Sequence, residues 1–197
     1  REKVSVLLQT EIDWDFLIRT AHQHRVLPLL YRTLADISPN HVPEQAMDRL
    51  RRAYQANASR NLFLTGELLK VIDLLQAHDI QAISYKGPVL AAAIYGDVSM
   101  RQFSDLDIIV PVSDAERAWS LLMSRGYRLA KEMSRKELAT LTETEKDITL
   151  LRDDAGIDLE LHWGITTDIS PIQVDPQFLW KNLNTFSIAG KTVQIHA

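Results

Sequence analysis

The stretch from Lys86 to Val110, KGPVLAAAIYGDVSMRQFSDLDIIV, constrains the fold more than any other part of the chain. Its last residues, Leu106 to Val110, read as a strand. Alternation then puts Asp105, Asp107 and Ile109 on one face and Leu106, Ile108 and Val110 on the other. Two carboxylates side by side at the mouth of a strand repel and raise one another's pKa unless something neutralises them. A divalent cation with oxygen ligands is the usual neutraliser, so the pair asks for a metal. Upstream, Ile80 to Tyr85 is short and half β-branched, a strand that delivers Lys86-Gly87 at its C-terminal end. Ligands of open α/β sheets gather at such ends. Between the two strands Val89 to Tyr95 reads as a tight helix whose alanines permit close packing, stopped by Gly96-Asp97.

Composition excludes several chemistries. The chain has no Cys, which removes thiolate catalysis, disulfides and Cys-held zinc, so any metal must be held by oxygen or His. A net charge of −4 with both signs interspersed gives no generic nucleic-acid binding surface. Apolar runs are broken by charges well short of the roughly 20 residues that span a bilayer, and no signal peptide leads the chain. The expectation is a cytoplasmic protein without membrane contact. At 46% apolar, its 197 residues can bury a proper core. A first residue that is Arg rather than Met raises the expectation of a piece from a longer protein.

The flanking segments divide into a helical region, 1–78, and a mixed region, 79–197. Asp13 caps a helix through Ala21, Val26 to Leu34 continues with Pro28 placed early, and Ser38-Pro39-Asn40 is a turn. Pro43 suits the first turn of a helix over Glu44 to Asn57, and a second amphipathic helix runs from Asn61 to His78 until Asp79 breaks it. His22 and His24, two apart, take surface or packing roles, and Arg51, Arg52 and Arg60 read as a solvated helix face. After the Asp105 strand come a helix over Ala115 to Ser124, a short strand at Tyr127 to Leu129, and a polar helix or loop at Ser134 to Glu145. Asp147 to Leu151 and Ile157 to Trp163 form a hairpin around Arg152 to Gly156. In its second strand Asp158, Glu160 and His162 alternate with Leu159, Leu161 and Trp163. The tail carries turns at Ser170-Pro171 and Asp175-Pro176, a short helix at Phe178 to Trp180, and a last hairpin around Ala189-Gly190.

These residues carry a resemblance. Tyr85-Lys86-Gly87, Tyr95, Arg101-x-x-Ser104-Asp105-Leu106-Asp107 and Leu159-Glu160-Leu161-His162-Trp163 are similar to a bacterial family of uncharacterised nucleotidyltransferases within the DNA polymerase β-like nucleotidyltransferase superfamily. The resemblance implies an α+β fold, a mixed β-sheet core flanked by helices behind an N-terminal helical region. It further implies a Mg²⁺-dependent enzyme that moves a nucleoside monophosphate from a nucleoside triphosphate to a hydroxyl acceptor of unknown identity, a small molecule, a protein or an RNA end.

The same resemblance assigns roles. Two Mg²⁺ ions would be held by Asp105, Asp107 and a third carboxylate, Glu160 in preference to Asp158, with Glu160 also drawing the proton from the acceptor. Gly87 would let the backbone approach the triphosphate, Lys86 and Arg101 would offset its charge, and Ser104 would donate a hydrogen bond. His162 is read as packing or orienting a carboxylate rather than as a ligand. One residue departs from the superfamily pattern: Pro88 stands where a Ser usually follows the Gly, and proline supplies neither hydroxyl nor N–H. The alternative that Pro88 supports is a catalytically inactive binding or regulatory module of the same fold. The N-terminal helices are candidates for contact with a protein partner. Further helices usually follow the core in the family, so the cleft beside Asp105 is expected to be open on one side.

Overall fold

Asp13 starts a helix as its position predicts: its carboxylate accepts the Phe16 N–H at 2.9 Å, satisfying a donor that the first turn leaves orphaned. The computed structural model describes residues 2–37, 41–164, 176–181 and 183–196. The turns expected at Ser38-Pro39-Asn40 and Ser170-Pro171, and Asp175 of the third, lie outside them. The chain divides into two compact units, one formed by Arg1–Phe63 with Tyr95–Phe103 and the other by Leu64–Ile94 with Ser104–Ala197. Among the described residues no helix is long and apolar enough to cross a membrane.

The first unit is helical. It contains α1 (Glu2–Leu7), α2 (Trp14–Gln23), α3 (Leu27–Ile37) and the first part of α4 (Glu44–Gln76). Ile18, Ala21, Leu27, Leu34, Ala46, Met47 and Leu50 bury their side chains in one cluster, at helical spacing along each element. The two helices expected over 44–57 and 61–78 are a single helix of 33 residues. The reason is local. Asn57 and Asn61 would ordinarily compete with the helix by bonding nearby backbone. Here Asn57 donates to Ser99 O at 2.8 Å, while Asn61 donates to Val98 O and Arg101 O, both at 2.7 Å. The segment so held turns through a 3₁₀ helix at Val98–Met100, capped by the Asp97 carboxylate.

The second unit is a mixed α+β layer. The remainder of α4 ends where expected: Asp79 takes φ 55° and Ile80 N–H reaches back to Leu75 O at 3.0 Å, a left-handed helix stop. Then follow β1 (Ile83–Ser84), α5 (Gly87–Tyr95), β2 (Asp105–Ile109), α6 (Ala115–Met123), β3 (Arg128–Leu129), α7 (Arg135–Thr144), β4 (Asp147–Arg152), β5 (Ile157–His162), α8 (Pro176–Lys181), β6 (Leu183–Ile188) and β7 (Lys191–His196). Five strands form one sheet in the order β1-β2-β5-β4-β3, in which only β2 and β5 are parallel; β6 and β7 form a separate hairpin. The face bearing Leu106, Ile108, Leu150, Leu159 and Leu161 is wholly buried, each such side chain contributing about 1.5–3 kcal/mol. The polar segment 134–145 is helical because Ser134 and Glu137 satisfy one another's backbone N–H in a capping box.

A buried charge anchors α4 in this unit. Glu67, only 4% exposed, accepts from Arg152 Nη1 at 2.6 Å, Tyr127 Oη at 3.1 Å and Lys70 Nζ at 3.2 Å. Burial pushes its carboxyl up, but these three donors outweigh burial and hold it below the usual glutamate value.

Candidate active site

The parallel pair determines the site. Its register sets Asp105 opposite Asp158, Asp107 opposite Glu160 and Ile109 opposite His162. Opposed residues on neighbouring strands project from the same face, so the alternation along β2 and the alternation along β5 deliver four carboxylates and an imidazole to one side of the sheet. Asp107 and His162 are buried, Asp105 and Glu160 are half-buried, and Asp158 is exposed. Ligand atoms of Asp107, Glu160 and His162 all lie within 4.8 Å of one another.

Lys86 closes the cluster from the end of the β1 segment. Its Nζ stands 3.1 Å from Asp107 Oδ1 and 4.7 Å from the centre of the Tyr85 ring. Partial burial works against the lysine's charge, yet the Tyr85 hydroxyl and the Asp107 carboxylate outweigh it and hold the ammonium above the ordinary lysine value. Asp107 shows the reciprocal effect: burial would raise its pKa, and His162 and Lys86 reverse this and hold it below the usual carboxylate range. Among the described residues Glu160 has no lysine bonded to it. Burial, then the charge of Asp107, pushes its carboxyl up; His162 offsets this in part, and Asp105 adds to the rise.

His162 completes the geometry. Its Nε2 lies 3.3 Å from Glu160 Oε2 and 3.4 Å from Asp107 Oδ1, yet this buried nitrogen makes no well-directed hydrogen bond. On the ring's far side Asp147 Oδ2 is 3.9 Å from Nδ1, and Tyr85 meets the ring edge-on with centroids 5.5 Å apart. A buried polar atom aimed between two carboxylate oxygens without a bond of its own is what a metal-ligating imidazole presents. Two carboxylates and one imidazole nitrogen form a donor set that suits a divalent cation. The residues fit the ion.

The remaining sequence candidates fall as follows. Gly87 opens α5 at φ +56°, in the left-handed region, so it is required by backbone conformation; a Cβ there would meet Asp105 O at an ordinary 3.5 Å. Pro88 is buried in the first turn of α5, where a missing N–H costs the helix nothing. Ser104 is exposed immediately before β2, and Asp158, opposite Asp105, is exposed as well. Arg101 belongs to the first unit, where its carbonyl accepts from Asn61. Sequence reasoning gave no site role to Tyr85 or Asp147 and left His162 outside the ligand set. The signal for His162 was present, since it continues the Asp158, Glu160 alternation. Asp147 is found only through the hairpin register that opposes it to His162.

A family model described as uncharacterised nucleotidyltransferase matches residues 10–197. No curated protein matches the chain. Among solved structures, the crystal structure of lincosamide antibiotic adenylyltransferase LnuA, lincomycin-bound, is similar with a TM-score of 0.46 and 16% identity, covering 67% of this chain and 79% of that one.

Proposed function

The chain belongs to the family of uncharacterised nucleotidyltransferases, and from that membership we propose that it transfers a nucleoside monophosphate from a nucleoside triphosphate to a hydroxyl acceptor at the Asp107, Glu160, His162 cluster, with Asp105 on the same face of β2. The observation that carries the reading is the convergence of Asp107, Glu160 and His162 donors within 4.8 Å, with Lys86 bonded to Asp107 beside them.

In the reaction an acceptor oxygen bonds to the α-phosphorus, the bond from that phosphorus to the bridging oxygen breaks, and pyrophosphate leaves with the electron pair. Magnesium, when bound, would be held by Asp105, Asp107 and Glu160 and would stabilise negative charge on the attacking and leaving oxygens. Asp158 lies on the same face as a reserve carboxylate, and His162 adds a nitrogen donor that the sequence reading had not counted as a ligand. Glu160 suits the role of base. It is not tied to Lys86 as Asp107 is, and its longer side chain reaches toward an entering hydroxyl. Lys86, held charged, offsets phosphate charge, and Gly87 presents backbone without a side chain at the start of α5. We assign Ser104, exposed immediately before β2, to the same triphosphate. The acceptor's identity is left to experiment: incubation with α-labelled nucleoside triphosphates and a cell extract, followed by mass spectrometry, should find a nucleotide adduct made by the wild type and not by Asp107→Asn. The absence of any adduct across all four nucleotides would count against transfer.

A second reading rests on Pro88. A buried proline offers neither hydroxyl nor N–H to a phosphate at the mouth of α5, which favours a module that keeps the fold for binding or regulation. Nucleotide that binds and is never consumed would support it.

A further inference from the structure

A basic cavity in the first unit takes no part in the chemistry above. It has a volume of about 610 Å³ and lies between α2 and the beginning of α4, within the roughly 300–1,000 Å³ of small-molecule sites. Its floor is apolar, formed by Ile18, Leu27 and Ala53, and Arg19, Arg49 and Arg52 stand around it. Helical spacing accounts for this: 18 with 22 and 19 with 23 on α2, and 49 with 52 and 53 on α4, lie three or four residues apart. Arg49 is tied to Asp15 by an ion pair, which fixes α2 to α4. Arg19 and Arg52 form no ion pair within 4.0 Å among the described residues, although Arg19 also acts on the Asp15 carboxylate at longer range, so neither guanidinium fork is filled.

We propose that this cavity is a binding site for a small organic phosphate. Gathering three guanidinium groups around one concavity with the single carboxylate of Asp15 against them leaves an unfavourable excess of positive charge, and the chain is not basic, with 22 Lys and Arg against 26 Asp and Glu. A bound dianion reverses the cost. A phosphate monoester carries close to two charges near neutral pH and three acceptor oxygens, matching guanidinium forks that bind it in pairs. A carboxylate would occupy one fork and leave the other unmet. The apolar floor adds a requirement for an organic body, planar or aliphatic, attached to the phosphate. Solvent-facing arginines whose stems merely cover apolar surface would need no such ligand, and a neutral substitution of similar length separates the two cases.

The test uses the full chain and phenyl phosphate, with inorganic phosphate and phenol as controls, in isothermal titration. Phenyl phosphate should bind, inorganic phosphate should bind more weakly, and phenol should not bind. Arg19→Gln with Arg52→Gln should weaken phenyl phosphate by about tenfold or more, the loss expected of charge-assisted hydrogen bonds. Asp107→Asn should leave its affinity unchanged, which separates this site from the nucleotidyl site. If the double variant does not fold, amide shifts of the wild type on titration decide, and they should concentrate at residues 18–27 and 49–53. No binding at millimolar phenyl phosphate, affinity insensitive to both arginines, or shifts confined to 86–107 and 158–162 would each overturn the proposal.

Discussion

Asp107 and Glu160 stand directly opposite one another on the parallel strands β2 and β5, and the same surroundings drive their carboxyl groups in opposite directions. Asp107 has Lys86 at 3.1 Å to hold it ionised. Glu160 has burial and the Asp107 charge against it. A folded-state pKa raised above the unfolded value means that the charged form of Glu160 opposes folding at neutral pH, whereas the depressed pKa of Asp107 means that its charge favours folding.

The two neutral substitutions should therefore differ in sign. In a chelator-containing buffer at pH 7, Glu160→Gln should raise the melting temperature by about 1–3 °C, and Asp107→Asn should lower it by about 2–4 °C. Thermal unfolding by circular dichroism checks both. Shifts of equal sign would contradict the assignment of Lys86 to Asp107.

Added Mn²⁺ should stabilise the wild type, and the increment should vanish in Glu160→Gln, in spite of that variant's higher starting point. His162→Ala should weaken Mn²⁺ binding by at least about tenfold. Titration followed by the paramagnetic signal of free Mn²⁺ measures this. Wild-type affinity in His162→Ala would remove the imidazole from the ligand set.

Much of this site was readable from residue order, because strand alternation has a period of two and the carboxylates at 105, 107, 158 and 160 obey it. The pairing of β2 with β5 was not. It is a parallel contact across about fifty residues of intervening chain, and periodicity says nothing about which strands meet. The helix over 44–76 reads as two in sequence, 44–57 and 61–78, and only the fold shows the bonds that hold Asn57 and Asn61 to the 98–101 segment. Glu67 gave no signal at all. In sequence it is one more charge on an amphipathic helix, and only the fold brings Tyr127 and Arg152 to it.

Glu67 should govern acid stability in the second unit. Its folded pKa lies below that of an ordinary glutamate, so its contribution is fully present above the ordinary glutamate pKa and is lost as pH falls through the lower, folded value. Glu67→Gln should cost about 1–2 kcal/mol at pH 7, since Arg152 and Tyr127 lose a charged acceptor while Arg152 keeps Asp154. The gap between wild type and variant should shrink as pH falls below the ordinary glutamate range. Urea unfolding at pH 7 and below that range tests it, and a gap independent of pH would contradict the ion pair's role.

At the mouth of α5, Gly87→Ala should destabilise the protein by about 1 kcal/mol because of its φ of +56°, without a clash. Pro88→Ser should fold and should tighten triphosphate binding by about tenfold if a hydroxyl and an N–H are what this turn lacks. Unchanged affinity in Pro88→Ser would show that phosphate contacts are made elsewhere.

The most direct test is isothermal titration of ATP, CTP, GTP and UTP into the full chain with and without Mg²⁺, repeated with Asp105→Asn/Asp107→Asn. The account predicts that at least one triphosphate binds only with Mg²⁺ and that the double variant abolishes the binding. Equal binding without metal, or binding that survives loss of both carboxylates, would contradict a metal-nucleotide site on β2 and β5.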